Sequence, residues 1–286
     1  MTVVKLDNFR TQTVTSELFF PVELVEMTGT TQRGQQIVAS NHRAVVRTDT
    51  NEVLAIHGKD YKLVANEDIY TAFDQALQHS QLDLTGMTVT DSLSHGGARS
   101  FRKYVFPNHE YTIGSNNDKI QLQLAVVNSY DGSTAFSAIV GAFRLLCSNG
   151  LIVGDKWAQT YGRHTSQFDP ELAVKKMTSA LDTYCENVTE WQSWVGQKIS
   201  DDEAAKVIHQ IPNLTPKMYE KIWHYWQQEQ KSLGPTKWAL FNALTFWSTH
   251  EETKKPSQEN LASVQFQRES RVRTVLNRSA VFKKAA

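Results

Sequence analysis

The sequence predicts an α+β protein: a mainly antiparallel sheet with one or two helices in residues 1–165, followed by a helical region in residues 166–286. Three observations predict it. Between Phe20 and Val153, short runs rich in β-branched and aromatic residues recur, separated by turn-forming residues. Asp131-Gly132 stands between two such apolar runs, the pattern of a tight hairpin. After Asp169-Pro170 the apolar residues take up a helical period instead.

In chain order, the strand candidates are Pro21–Met27, His42–Thr48, Glu52–Gly58, Ala98–Phe106, Asp118–Ser129 and the run from Ser133 to Gly154. Thr28-Gly29-Thr30, Asp49-Thr50-Asn51, Gly114–Asp118, Asp131-Gly132 and Ser148-Asn149-Gly150 read as the turns between or after them. His95-Gly96-Gly97 reads as a tight turn ahead of a strand. One helix interrupts the strands: Asn66 reads as its N-cap, Glu67 and Asp68 suit its positive first turn, and Ile69, Phe73 and Leu77 share a face. In the second half, Pro170 suits a first turn, and Leu172, Met177, Leu181, Tyr184, Val188, Trp191 and Val195 follow at helical spacing. Ser200 and Glu203 form a capping-box pattern for a helix that ends before Pro212. Three further helices are expected, from Pro216 to Ser232, from Pro235 to Thr249, and over the polar, arginine-rich segment from Gln258 to Asn277.

The chain has 286 residues, with 30 basic and 30 acidic side chains and zero formal charge. At this length about 70–75 % of the unfolded surface can be buried, so disulfides are not required. Cys147 and Cys185 lack the paired spacing of a zinc site and fit a reducing compartment. With neither a signal-like apolar run at the start nor an 18-residue apolar span, the expected setting is the cytoplasm, away from membranes. The neutral total conceals a polarised chain. From Lys254 onward eight basic residues face only Glu259 and Glu269, a charge of +6, which leaves −6 on the remainder. A uniformly basic nucleic-acid coat is thereby excluded, and a local patch is not.

Neither a glycine-rich phosphate loop nor a His- or Cys-based metal motif is present, so no cofactor and no metal are expected. The six tryptophans of the helical half read as core. Cys147 in an apolar run reads as a small buried hydrophobe rather than a nucleophile. The segment Ala98–Phe106 is the most suggestive of binding. Alternation sets Arg99, Phe101 and Lys103 on one strand face and Arg102 and Tyr104 on the other, so each face pairs cations for phosphates with an aromatic ring for bases.

Four segments carry a family resemblance. They are Asn128-Ser129-Tyr130-Asp131-Gly132-Ser133; the run Arg144 to Leu151 with Cys147, Asn149 and Gly150; Val46–Leu54 with Tyr61–Glu67; and Lys237–Thr245 with Trp238 and Asn242, continuing to His250. In this order they resemble a family of phage- and plasmid-borne proteins of unknown function, with Tyr130 where histidine is common. The resemblance implies a mobile-element setting, in which proteins that handle DNA during replication, recombination or host defence prevail.

The resulting expectation is non-specific single-stranded DNA binding and strand annealing, by a homo-oligomeric ring or filament. Arg99, Arg102, Lys103, Arg144, Lys156 and Arg163 would contact phosphates, Tyr104 and Phe101 would stack on bases, and Arg268, Arg271 and Arg273 would form an auxiliary arm. A second expectation is a module that binds a host or phage protein through its acidic body and Trp-rich helices. A third is an enzyme site around Asn128, Asp131, Arg144, Cys147 and Asn149, whose residue types are also those of turns.

Overall fold

The computed structural model describes residues 2–5, 16–80, 82–114, 118–134, 136–145, 149–151, 159–162, 180–253 and 260–282. The chain divides into two compact units, and the division is not sequential. Unit 1 comprises Met1–Tyr104, Ala125–Ile139 and Gln159–Thr178; unit 2 comprises Val105–Leu124, Val140–Ala158 and Ser179–Ala286. The boundary expected near residue 165 lies outside the described residues. The strand Arg99–Ile113 has 15 residues, about 50 Å at the usual strand rise, and its two ends enter different units.

Among the described residues, ten strands form two sheets. In chain order they are β1 (Thr2–Lys5), β2 (Val22–Thr30), β3 (Gln36–Arg47), β4 (Glu52–Gly58), β5 (Thr88–Ser94), β6 (Arg99–Ile113), β7 (Asp118–Ser129), β8 (Phe136–Arg144), β9 (Asn149–Leu151) and β10 (Gln159–Gly162). The larger sheet has seven strands in the order β1-β5-β6-β7-β8-β10, with β9 also beside β8. β10 pairs with β8 along Phe136–Ile139, and β9 pairs with it along Ala142–Arg144. Asn149 and Gly150, expected in a turn, are therefore strand residues whose backbones face Arg144 and Phe143.

In unit 1, β2, β3 and β4 form a separate antiparallel sheet. Its inner face is fixed by alternation: Val22 and Leu24 oppose Arg47 and Val45, and Val45, Phe20 and Tyr130 form a buried cluster packed by Leu54, Leu63 and Leu93. Thr28-Gly29-Thr30 does not turn. It continues β2 opposite Val38, Ile37 and Gln36, and the chain reverses at Thr31–Gln35, where Gly34 takes a positive φ.

The helix α1 (Asn66–His79) buries Ile69, Tyr70, Phe73 and Leu77, the expected face with Tyr70 added. Its N-cap position is Ala65, without a side-chain cap. The Asn66 amide is buried and engaged elsewhere, a use that local spacing does not reveal. His95–Gly97 forms the expected tight turn before β6.

In unit 2, α2 (Ala180–Gly196), α3 (Asp201–His209), α4 (Pro216–Leu233), α5 (Lys237–His250) and α6 (Leu261–Arg278) follow the predicted order. The expected start of the first at Pro170 lies outside the described residues. The Ser200–Glu203 capping box forms. Thr215 caps α4 ahead of Pro216, and Thr236, rather than Pro235, marks the start of α5 by accepting from the Ala239 N–H. α5 is apolar around most of its circumference, burying Trp238 through Thr245 together with Trp247. Phe241 lies 6.0 Å from Trp191, 5.3 Å from Trp194 and 5.4 Å from Trp238 between ring centroids, so these tryptophans form core.

Gly97 gives the fold a direct test. Its φ is 100°, and a Cβ there would meet the Phe20 ring at 3.0 Å and the Arg47 guanidinium at 3.2 Å. Gly97→Ala is expected to destabilise unit 1 by about 2 kcal/mol or more through strain and overpacking, measured as a lower urea midpoint; an unchanged midpoint would contradict the close approach.

Candidate functional site

The motif residues were the first candidates for a site, and most of them tie strands together instead. In unit 1 the Asn66 carboxamide oxygen accepts from Asn128 Nδ2 at 2.8 Å and from Ser100 Oγ at 3.0 Å. Asn66 Nδ2 donates to the Leu18 carbonyl, and its backbone N–H donates to the Tyr130 hydroxyl at 2.8 Å. Tyr70 donates to Ser100 Oγ at 2.9 Å. All five side chains are buried, and burial pushes the Tyr70 and Tyr130 hydroxyls well above the usual phenol range. A buried amide satisfied on both ends joins α1, β6 and β7 and leaves little capacity for a ligand. Beside it, Gly132 supplies a positive φ at the turn, and Asp131 accepts from Arg99 Nε at 2.7 Å and from the Ser133 N–H. Burial alone would raise the Asp131 carboxyl, but Ser133 and Arg99 outweigh it and hold it below the ordinary range.

Arg102 corrects the strand expectation. The face of β6 that carries Ser100, Arg102, Tyr104 and Phe106 is buried throughout. The Arg102 guanidinium is fully enclosed; it meets Asp91 with two parallel bonds of 2.7 Å and Asp74 at 2.9 Å, and Tyr104 donates to Asp74 at 2.8 Å. Burial acts to discharge Arg102, and the paired carboxylates overcome it. A guanidinium that is fully buried and paired with two carboxylates is out of reach of a phosphate. Arg102 and Tyr104 are accordingly part of the core, and Phe101 is buried as well. Lys103 is half-buried, and Arg99 belongs to the Asp131 pair.

Arg144 is the corresponding residue in unit 2. Strands joined by a short turn run antiparallel, so Asp118 at the start of β7 lies beside Arg144 at the end of β8. Arg144 Nε donates to Asp118 at 2.7 Å, and its Nη1 lies 3.3 Å from Glu229 of α4. The other Asp118 oxygen accepts from the Trp238 indole at 2.9 Å. Asn242, one turn on, donates to the Trp238 carbonyl. Burial raises the Glu229 carboxyl against the attraction of Arg144. Thus Arg144 and Trp238, motif residues far apart in sequence, meet on one buried carboxylate. Arg144 is withdrawn from the phosphate contacts for the same reason as Arg102.

The tail arginines divide by helix phase. Arg273 is buried, 6.0 Å above the Phe266 ring. Arg268 and Arg271, three residues apart and hence on one side of α6, line a cavity of about 450 Å³ with Thr215, Lys217, Met218, Lys221, Trp247, Glu251, Glu252 and Thr253. Arg268 donates to the Glu251 carbonyl at 2.6 Å and to the Glu252 carbonyl at 3.3 Å. Lys221 pairs with Glu251, which also accepts from Tyr225 at 3.2 Å. Among the described residues, Lys217 and Arg271 make no hydrogen bond or ion pair. Burial and the like charge of Arg271 draw Arg268 below the usual arginine range despite Glu251. Lys217, Lys221 and Trp247 escape the sequence reading, although the lysines' spacing of four residues on one helix was a usable signal. Lys156, Arg163 and Cys147 lie outside the described residues.

A family model described as a domain of unknown function (DUF932) matches residues 53–276. Comparison with curated proteins and with solved structures finds no match.

The Asp118 junction yields a stability contrast. Asp118→Ala removes the acceptor of Trp238 and the nearer of the two carboxylates that meet Arg144, and is expected to cost about 3–5 kcal/mol, the range for breaking a buried pair. Arg99→Ala, at the more accessible Asp131 pair, is expected to cost about 1 kcal/mol or less. Chemical denaturation of the two variants measures the difference; equal costs would contradict the structural role of Asp118.

Proposed function

We propose that the chain, which belongs to the DUF932 family over residues 53–276, binds single-stranded DNA through the helical unit and promotes strand annealing. The observation that supports this reading is the gathering of Arg268 and Arg271 of α6 with Lys217 and Lys221 of α4 around one cavity. These cations come from two helices and stand on a concave surface, where field and shape act together on an anion. The strand β6 contributes nothing comparable, since Arg99 and Arg102 are committed to carboxylates. The annealing step, assembly into a ring or filament, the mobile-element setting and the host cytoplasm rest on the family resemblance. Among the described residues no helix is long and apolar enough to cross a membrane.

Titration of a labelled oligonucleotide tests the reading. Binding is expected at about 50 mM salt, with log K falling by about 0.7 per phosphate contact for each decade of salt. Lys217→Ala and Arg271→Ala should each weaken binding about fivefold, roughly 1 kcal/mol, and flatten the salt slope. Absence of binding at about 50 mM salt would overturn the proposal.

A second reading has its own observation. Five of the six tryptophans on the helices expected as a protein contact are buried, but the outer face of the β2-β3-β4 sheet exposes Val25, Val53 and Ile56 by 40 %, 59 % and 53 %. Beyond it the β2-β3 ribbon exposes Ile37 and Val38. On this reading the sheet docks a host or phage protein. A double variant Val53→Asp, Ile56→Asp should lose a stoichiometric partner that the unaltered chain retains in a pull-down; retention by both would remove this reading.

A further inference from the structure

The charge that lines the cavity selects among anions. Its volume of about 450 Å³ falls within the range of small-molecule pockets. Its lining carries four cations, Lys217, Lys221, Arg268 and Arg271, against two carboxylates, Glu251 and Glu252. The surplus of two positive charges matches a phosphomonoester, which carries about −1.5 to −2 near neutral pH, better than a phosphodiester with its single charge.

The commitments of these groups assign their roles. Lys221 is held by Glu251, and Arg268 by the carbonyls of Glu251 and Glu252. They fix the wall and contribute charge at a distance. Lys217 and Arg271 keep their donors, a mobile ammonium and a planar fork suited to the terminal oxygens of a phosphate. Lys217 also stands in the first turn of α4, where the helix dipole favours an anion. Met218 and Trp247 supply apolar surface, and the enclosed Trp247 indole N–H has no acceptor among the described residues. Glu251 and Glu252 line the same cavity and offset two of its four positive charges.

We infer that this cavity is a phosphomonoester site, with Lys217 and Arg271 as its direct anion contacts. The inference rests on the single-strand reading only for one source of the phosphate, the 5′ end of a DNA strand; the same chemistry is offered by a free nucleoside monophosphate.

The test uses the full chain and four probes: one oligonucleotide with a 5′-phosphate, the same oligonucleotide with a 5′-hydroxyl, dAMP and deoxyadenosine. The phosphorylated strand should bind about tenfold more tightly than the hydroxyl strand, as one or two charge-assisted hydrogen bonds provide. Unlabelled dAMP should compete and deoxyadenosine should not. Lys217→Ala and Arg271→Ala should each reduce the preference to about threefold or less, with circular dichroism confirming the fold, whereas Arg278→Ala, at the last turn of α6 and outside the cavity lining, should preserve it. If both strands bind equally and dAMP does not compete, the phosphomonoester site is overturned while the single-strand reading stands. If dAMP binds in an Arg271-dependent way and neither strand binds, the site is supported and the strand reading falls. Failure of dAMP and both strands to bind overturns both.

Discussion

A guanidinium removed from water must be met by carboxylates at hydrogen-bonding distance, because its desolvation otherwise exceeds what the fold can supply. Among the described residues, the guanidinium groups of Arg102 and Arg144 are fully removed. Arg102 is met by Asp74 and Asp91 in unit 1, and Arg144 by Asp118 and Glu229 in unit 2. Each arrangement places two acids on one cation, and the excess shows: burial raises Asp74 and Glu229 even beside their arginines. Much else follows from satisfying these groups. α1 must present Asp74 to β6, the start of β7 must lie beside the end of β8, and α4 and α5 must bring Glu229 and Trp238 to the same place.

This constraint also decides where function can reside. Cations that hold the core together cannot hold a phosphate, so Arg102, Arg144 and Arg273 leave the inventory of binding groups. Of the cations that line the cavity of the helical unit, Lys217 and Arg271 are uncommitted among the described residues, whereas Lys221 and Arg268 are held by Glu251 and Glu252. The motif residues that mark the family resemblance, among them Asn128, Arg144 and Trp238, mark buried joints. Each ties together segments that are distant in sequence.

Local features were legible in the sequence where local physics determines them. The Ser200–Glu203 capping box and the Asp131-Gly132 turn are complete within a few residues, so spacing sufficed. Asn66 was misread because an asparagine at a helix start satisfies the capping pattern whether or not its amide is needed elsewhere; here Asn128 and Ser100 take it. Alternation along Arg99–Lys103 placed side chains on the correct faces but could not show that α1 covers one of them. Thr28-Gly29-Thr30 has turn composition, yet pairing with Gln36–Val38 extends the strand. In the basic tail, charge counting gave +6 as a block, whereas helix phase separates Arg273 from Arg268 and Arg271. The cavity itself joins residues 215–221 to 247–253 and 268–271, a long-range convergence that no local pattern encodes.

The central claim is that accessible phosphate contacts belong to α4 and α6 while the arginines of the strands are structural. Photo-crosslinking of a bromodeoxyuridine-substituted single strand, followed by peptide mapping, tests it most directly. Crosslinks confined to the peptides around residues 215–221, 247–253 and 261–271 are the predicted result. Crosslinks confined to the β6 peptide around residues 99–106 would contradict the account.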